Sequence, residues 1–196
     1  MHREQCRGTA LYSISATSPA GLRGFSLYEM LVVLAIVSIL GSASAALGSV
    51  LRNDRLSTGA NELMAVLNLA RSHAVMRLAD VVVCPSRTGR QCDEPDSRYT
   101  WWHEGYLVFV DLDGDRRLDE NESVLLNGPA RAGITLRSSR YRTKVVYRAS
   151  GMTTGTNLTL TFCPAGPAAD VRSVIISNIG RARVSRAPAD HLPCDG

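Results

Sequence analysis

Arg181, Arg183 and Arg186 follow Gly180 at spacings of two and three, and Arg140, Arg142 and Lys144 alternate with other residues earlier in the chain. A guanidinium is a planar fork of donors that matches phosphate oxygens two at a time, so such a row is chemistry for a polyanion backbone. On a strand, Arg181 and Arg183 point to the same face. The wider charge pattern agrees: residues 131–186 hold ten basic groups against Asp170 alone, while residues 93–122 hold ten acidic groups against three arginines. The formal net charge of +4 conceals this separation. A solvated face, or a surface that pairs with the acidic region of a neighbouring subunit, is the competing reading. Tyr141 and Tyr147 lie among the cations and either stack on bases or pack within strands. With no base-reading helix apparent, binding to nucleic acid would be backbone-driven and independent of sequence.

Other constellations carry less. In "DLDGDRRLDENE", residues 111–122, Asp111, Asp113, Asp115, Asp119 and Glu122 fall at the oxygen-ligand spacing of a calcium loop. The position that needs a glycine for the sharp turn is Arg116, and the flanking "YLVFV" and "SVLL" read as strands instead of helices. A polar turn without metal is expected. His2, His73, His103 and His191 form no triad, and there is no G-x-S-x-G, phosphate loop or H-E-x-x-H. No catalytic residue, cofactor or metal is expected, and the chain does not read as an enzyme.

The elements that position the cations begin with a helix. From Met30 to Leu51 there is no charged residue, and that length of helix covers the ~30 Å of a bilayer's hydrocarbon core. Arg3, Arg7 and Arg23 precede it, which places residues after 51 on the exported side. Glu29 stands among these apolar residues, where an unpaired carboxylate costs on the order of 2–3 kcal/mol. A secretory signal peptide with a small-residue site at Ala43, Ser44 and Ala45, or a plain anchor, leaves that carboxylate unexplained. Beyond Leu51, Leu56, Ala60, Leu63, Leu67, Ala70, Ala74 and Leu78 recur every three or four residues, with polar groups elsewhere on the wheel. The helix is therefore expected to continue as an amphipathic one, with a hinge near Asn53–Gly59.

Gly24, Phe25 and Glu29 together resemble the type IV prepilin signature. The resemblance implies cleavage between Gly24 and Phe25 by a prepilin peptidase, methylation of Phe25, and retention of the helix. Glu29 would then neutralise the α-amino group of Phe25 in a neighbouring subunit during filament assembly. The leader before Gly24 is long for the family, and Tyr28 takes a position often held by an aliphatic residue.

From Val81 onward, β-type runs alternate with Gly, Pro, Asn and Asp: "VVVC" at 81, "YLVFV" at 106, "SVLL" at 123, "ITLR" at 134, "KVVYR" at 144, "LTLTFC" at 158, "VRSVIIS" at 171 and "ARVS" at 182. A long helix followed by strands predicts an α+β fold, the helix laid on antiparallel sheet. Three segments are expected: a leader at 1–24, a membrane and filament-core helix at 25–51, and a periplasmic head at 52–196. Cys84, Cys92, Cys163 and Cys194 suit an oxidising compartment, whereas Cys6 lies ahead of the membrane run. Cys84 and Cys92 bracket a polar loop, leaving Cys163 with Cys194; four cysteines allow three connectivities, and this one is preferred. No C-x-x-C or paired His spacing calls for zinc.

"LNLARSHAV" at 67, "VVVC" at 81, "GYLVFVDLDGD" at 105 and "GRARV" at 180 resemble the GspH/FimT group of pilin-like proteins. The group implies a minor pilin or pseudopilin whose partners are other pilins or pseudopilins, held in the inner membrane before assembly and in a filament afterwards. The GRAR stretch also resembles the G-R-x-R motif with which FimT-type minor pilins bind DNA during natural transformation. That likeness makes Arg181, Arg183 and Arg186, joined by Arg140, Arg142 and Lys144, the expected DNA-binding set. A GspH-like minor pseudopilin of type II secretion is the alternative.

Overall fold

The computed structural model describes residues 24–96, 98–164 and 171–186 together with Cys194; of residues 42–52 it describes the backbone alone. The leader, residues 1–23, lies outside the described residues. Contacts divide the chain into two units, Met1–Ala43 and Ser44–Gly196.

In the first unit the described residues are the start of α1 (Leu27–Arg77), with Glu29 in its first turn, where a carboxylate meets the positive end of the helix dipole. Leu31, Leu34, Ile36 and Val37 are all exposed in the single chain, so apolar side chains occupy every face here. Among the described residues no helix is long and apolar enough to cross a membrane. The expected membrane run at 25–51 extends beyond residue 41, where side chains are outside the described set. α1 is continuous through Asn53–Gly59, so the expected hinge is absent: the segment's one glycine, Gly59, sits inside a packed turn against Phe162.

In the second unit α1 presents Leu56, Ala60, Leu63, Leu67, Ala70 and Ala74 to the core, each buried. A fully buried leucine contributes roughly 1.5–3 kcal/mol, and the interleaved alanines let the sheets approach closely. Leu78 does not extend this stripe. The helix ends at Arg77, and Leu78 takes φ 51° at 79% exposure, a left-handed residue that turns the chain out of the helix.

Nine strands follow: β1 (Asp80–Pro85), β2 (Tyr99–Trp101), β3 (Tyr106–Asp111), β4 (Val124–Gly128), β5 (Ile134–Ser139), β6 (Val145–Tyr147), β7 (Leu158–Pro164), β8 (Arg172–Ile176) and β9 (Ala182–Ser185). They form two antiparallel sheets, in the orders β4-β3-β1-β6 and β2-β5-β7-β8-β9. The fold is α+β.

In the four-stranded sheet β1, β3 and β6 are buried on both faces, which explains their unbroken apolar runs, whereas the edge strand β4 is only partly buried. Val81, Val83, Val108 and Val145 join the main core with α1. Val82, Cys84, Leu107, Phe109 and Val146 face the other way and pack with Cys92 and Leu118. The Cys84–Cys92 disulfide thus closes its loop beside this second cluster, and Cys163–Cys194 joins β7 to the chain's end.

In the five-stranded sheet one face carries Leu136, Leu160, Phe162, Val174 and Ile176 into the core. The other face mixes polar and apolar groups: register sets Trp101 opposite Arg137, Arg137 opposite Thr161, Thr161 opposite Ser173, and Ile175 opposite Arg183.

Candidate nucleic-acid interface

Two connections position the cations. The first is the β8–β9 turn. The Gly180 N–H donates to Ser177 O at 2.8 Å, and Gly180 takes φ +77°. A Cβ there would stand 2.0 Å from Gly151 O, so this glycine is required by both conformation and packing. The Arg71 guanidinium of α1 reaches the Gly180 carbonyl at 3.3 Å. From this fixed point Arg181 precedes β9, Arg183 lies within it, and Arg186 follows it; all three are exposed.

The second connection, residues 140–144, crosses between the sheets, because β5 belongs to the five-stranded sheet and β6 to the four-stranded one. Its backbone is fastened locally: the Arg142 N–H donates to Ser139 O at 2.9 Å, and Ser138 Oγ donates to Arg142 O at 2.6 Å. Arg142 Nη1 donates to Gly155 O at 2.9 Å, and Lys144 Nζ donates to Arg116 O at 2.8 Å. Both side chains are half-buried. Burial holds the Lys144 ammonium below its ordinary range; Glu94 opposes this, and Arg117 and Arg116 add to it. Arg140 is exposed, its guanidinium 5.1 Å from the centre of the Tyr141 ring.

Strand pairing brings the two connections to one end of the five-stranded sheet. A cavity of about 280 Å³ there is bounded by Ser139, Arg142, Thr159 and Ile175, and Ile175 is the register partner of Arg183. From β5 to β9 is three strand spacings, roughly 15 Å, a few nucleotides of backbone.

On the other side of Arg142, a second cavity of about 310 Å³ is lined by Asp115, Arg116, Arg117, Tyr141, Arg142 and Lys144 among others. Arg116 and Arg117 join the cationic set although in the sequence they sit inside the acidic run, which hides their charge. The two candidate stacking tyrosines separate: Tyr147 is buried in the core and its phenol is pushed up to about 12 by burial, whereas Tyr141 is 81% exposed.

The acidic connection between β3 and β4 is folded on its own hydrogen bonds. Asp111 accepts the N–H groups of Gly114 and Arg116, and Glu122 accepts those of Leu112 and Asp119. Arg116 adopts φ 65° where a calcium loop has glycine. The carboxylates of Asp111, Asp113 and Asp115 offer oxygens within 4.8 Å of one another, and burial raises the Asp111 carboxyl against its two N–H bonds. Arg137 belongs to the basic stretch by sequence but is 4% exposed, stacked 4.2 Å from the Tyr99 ring centre.

The family described as "Type II transport protein GspH" matches residues 59–180, which is more than half the chain. The chain belongs to the GspH family. The prokaryotic N-terminal methylation motif matches residues 22–45, enclosing Gly24, Phe25 and Glu29. No curated protein matches the chain. Among solved structures, the type IV minor pilin FimU of Pseudomonas aeruginosa is similar in two crystal forms, at TM-scores of 0.49 and 0.48 and 22% identity. The matches cover 73% and 71% of this chain, and 97% and 100% of FimU. As a GspH-family protein with a methylation motif, the chain belongs with the pilins and pseudopilins, and interaction with other pilins in a filament follows from that membership.

Proposed function

We propose that this GspH-family chain is a FimT-like minor pilin that binds DNA without sequence preference during DNA uptake and takes part in pilus assembly. The observation that carries the reading is the meeting of the β8–β9 turn and the 140–144 crossover at one sheet end, where Arg142 lines a concavity whose wall includes Ile175, the register partner of Arg183. Cations on two independent connections contact a polyanion chain at several successive phosphates. Arg186 and Arg140 extend the same charge.

Maturation supplies the placement. A prepilin peptidase cuts after Gly24, Phe25 is methylated, and the apolar helix anchors the head in the inner membrane until assembly. Glu29 then pairs with the α-amino group of a neighbouring Phe25, because an unpaired charge in a filament core is costly.

The test is equilibrium binding of duplex DNA by the wild type and by Arg181→Gln/Arg183→Gln, beside a charge-matched control, Arg98→Gln/Arg90→Gln. The reading predicts weak binding that the first variant loses and the control retains; equal loss in both would reduce the interaction to net charge. The matched family description favours a second reading, a minor pseudopilin of type II secretion whose partners are other pseudopilins. A deletion strain that transforms normally but fails to secrete decides for it.

A further inference from the structure

We infer that the 140–144 crossover holds a seat for one unpaired nucleotide, its phosphate in the cleft among Arg117, Arg142 and Lys144 and its base against the face of Tyr141. The seat rests on the DNA-binding reading and specifies which form of the nucleic acid it takes.

Among the described residues, the cleft of about 310 Å³ sets four cations against the single carboxylate of Asp115. Arg142 and Lys144 each commit a donor to a backbone carbonyl, Gly155 O and Arg116 O, which fixes their heads. An ammonium carries three donors and a guanidinium five, so each retains N–H groups for a phosphate without further loss of side-chain freedom. Arg116 and Arg117 line the cleft beside the half-buried Lys144, with Glu94 and Asp115 as the opposing carboxylates, so a phosphate there meets several cations at once.

Tyr141 borders the same cleft, and at 81% exposure its ring has no packing role. The Arg140 guanidinium lies over one face of the ring, 5.1 Å from its centre, and the base takes the opposite face. Base–aromatic stacking next to a cationic groove is how proteins hold single strands. Paired bases inside a duplex are already stacked and offer no free face, so Tyr141 distinguishes a single strand or frayed end from intact duplex.

The experiment uses the full chain in detergent micelles and fluorescence anisotropy with three labelled probes: a short single strand, the blunt duplex of the same sequence, and the single strand with abasic sites throughout. Tyr141→Ala should weaken single-strand binding roughly ten-fold, while duplex and abasic binding change by less than about two-fold. Tyr141→Phe should restore the single-strand affinity, and Lys144→Gln should weaken all three probes. A Tyr141→Ala effect no larger on the single strand than on the duplex overturns the seat and leaves backbone binding standing. If the wild type binds none of the probes at low salt, the DNA-binding reading falls, and the seat with it.

Discussion

Arg71 of α1 donates from Nη1 to the carbonyl of Gly180 at 3.3 Å, joining residues 109 positions apart and tying the helix to the turn that launches β9. The glycine ahead of the arginines is thus a structural joint. Gly180→Ala would place a Cβ 2.0 Å from Gly151 O at φ +77°. We expect a loss of roughly 2–4 kcal/mol from strain and overpacking, read as an earlier urea midpoint. Arg71→Met should cost about 1–2 kcal/mol. An unchanged midpoint in Gly180→Ala would contradict the turn geometry.

Alkaline pH should destabilise the head through Tyr147. Its folded pKa of about 12 lies above the ordinary phenol value of 10.0, so between those values the unfolded chain gives up a proton that the folded chain keeps. The stabilisation is complete below pH 10 and is lost as pH rises toward 12. Tyr106, also raised by burial and next by Glu62, acts in the same direction. Urea midpoints at about pH 9 and about pH 11, on either side of the ordinary phenol range, should converge in Tyr147→Phe; an undiminished alkaline drop in that variant would assign the effect elsewhere.

The two disulfides close loops of different length, with separations of 8 and 31 residues. Chain entropy predicts losses of about 2–3 kcal/mol for Cys84→Ala/Cys92→Ala and about 3–4 kcal/mol for Cys163→Ala/Cys194→Ala. Calorimetry of both variants checks the order, and a reversed order would show that packing at Cys84 outweighs loop closure.

Arg137 is buried with Nε and Nη2 lacking any hydrogen-bond partner among the described residues. Such groups cost about 1–3 kcal/mol each, and the stacking on Tyr99 returns about 0.5–2 kcal/mol. Arg137→Met should therefore raise stability by about 1 kcal/mol, while Arg137→Ala should lower it by opening a cavity. Destabilisation by Met would mean that the guanidinium is better satisfied than its geometry indicates.

The α1 stripe is legible in the sequence because spacings of three and four survive as burial from Leu56 to Ala74, and the spacing alone carries it one residue too far, to Leu78. β2 escapes notice because "YTW" is too short to show alternation. Strand runs do not encode which sheet they join, so the division into two sheets, and the crossover it creates at 140–144, comes only from long-range pairing. That same pairing brings Arg116 and Arg117 beside Lys144. In the sequence they stand among aspartates 28 and 27 residues away, and no local pattern connects them.

The N-terminus offers a separate check. Mass spectrometry of the mature chain should find a methylated Phe25 as its first residue, and a chain beginning at Ala46 would mean signal-peptide cleavage instead.

The most direct test of a phosphate-binding sheet end is the dependence of duplex affinity on salt. The wild type should give a linear fall of log K with log salt, and Arg181→Gln/Arg183→Gln should flatten it by about 0.9 for each phosphate that is no longer neutralised. Binding that does not respond to salt, or a slope identical in the two proteins, would contradict the account.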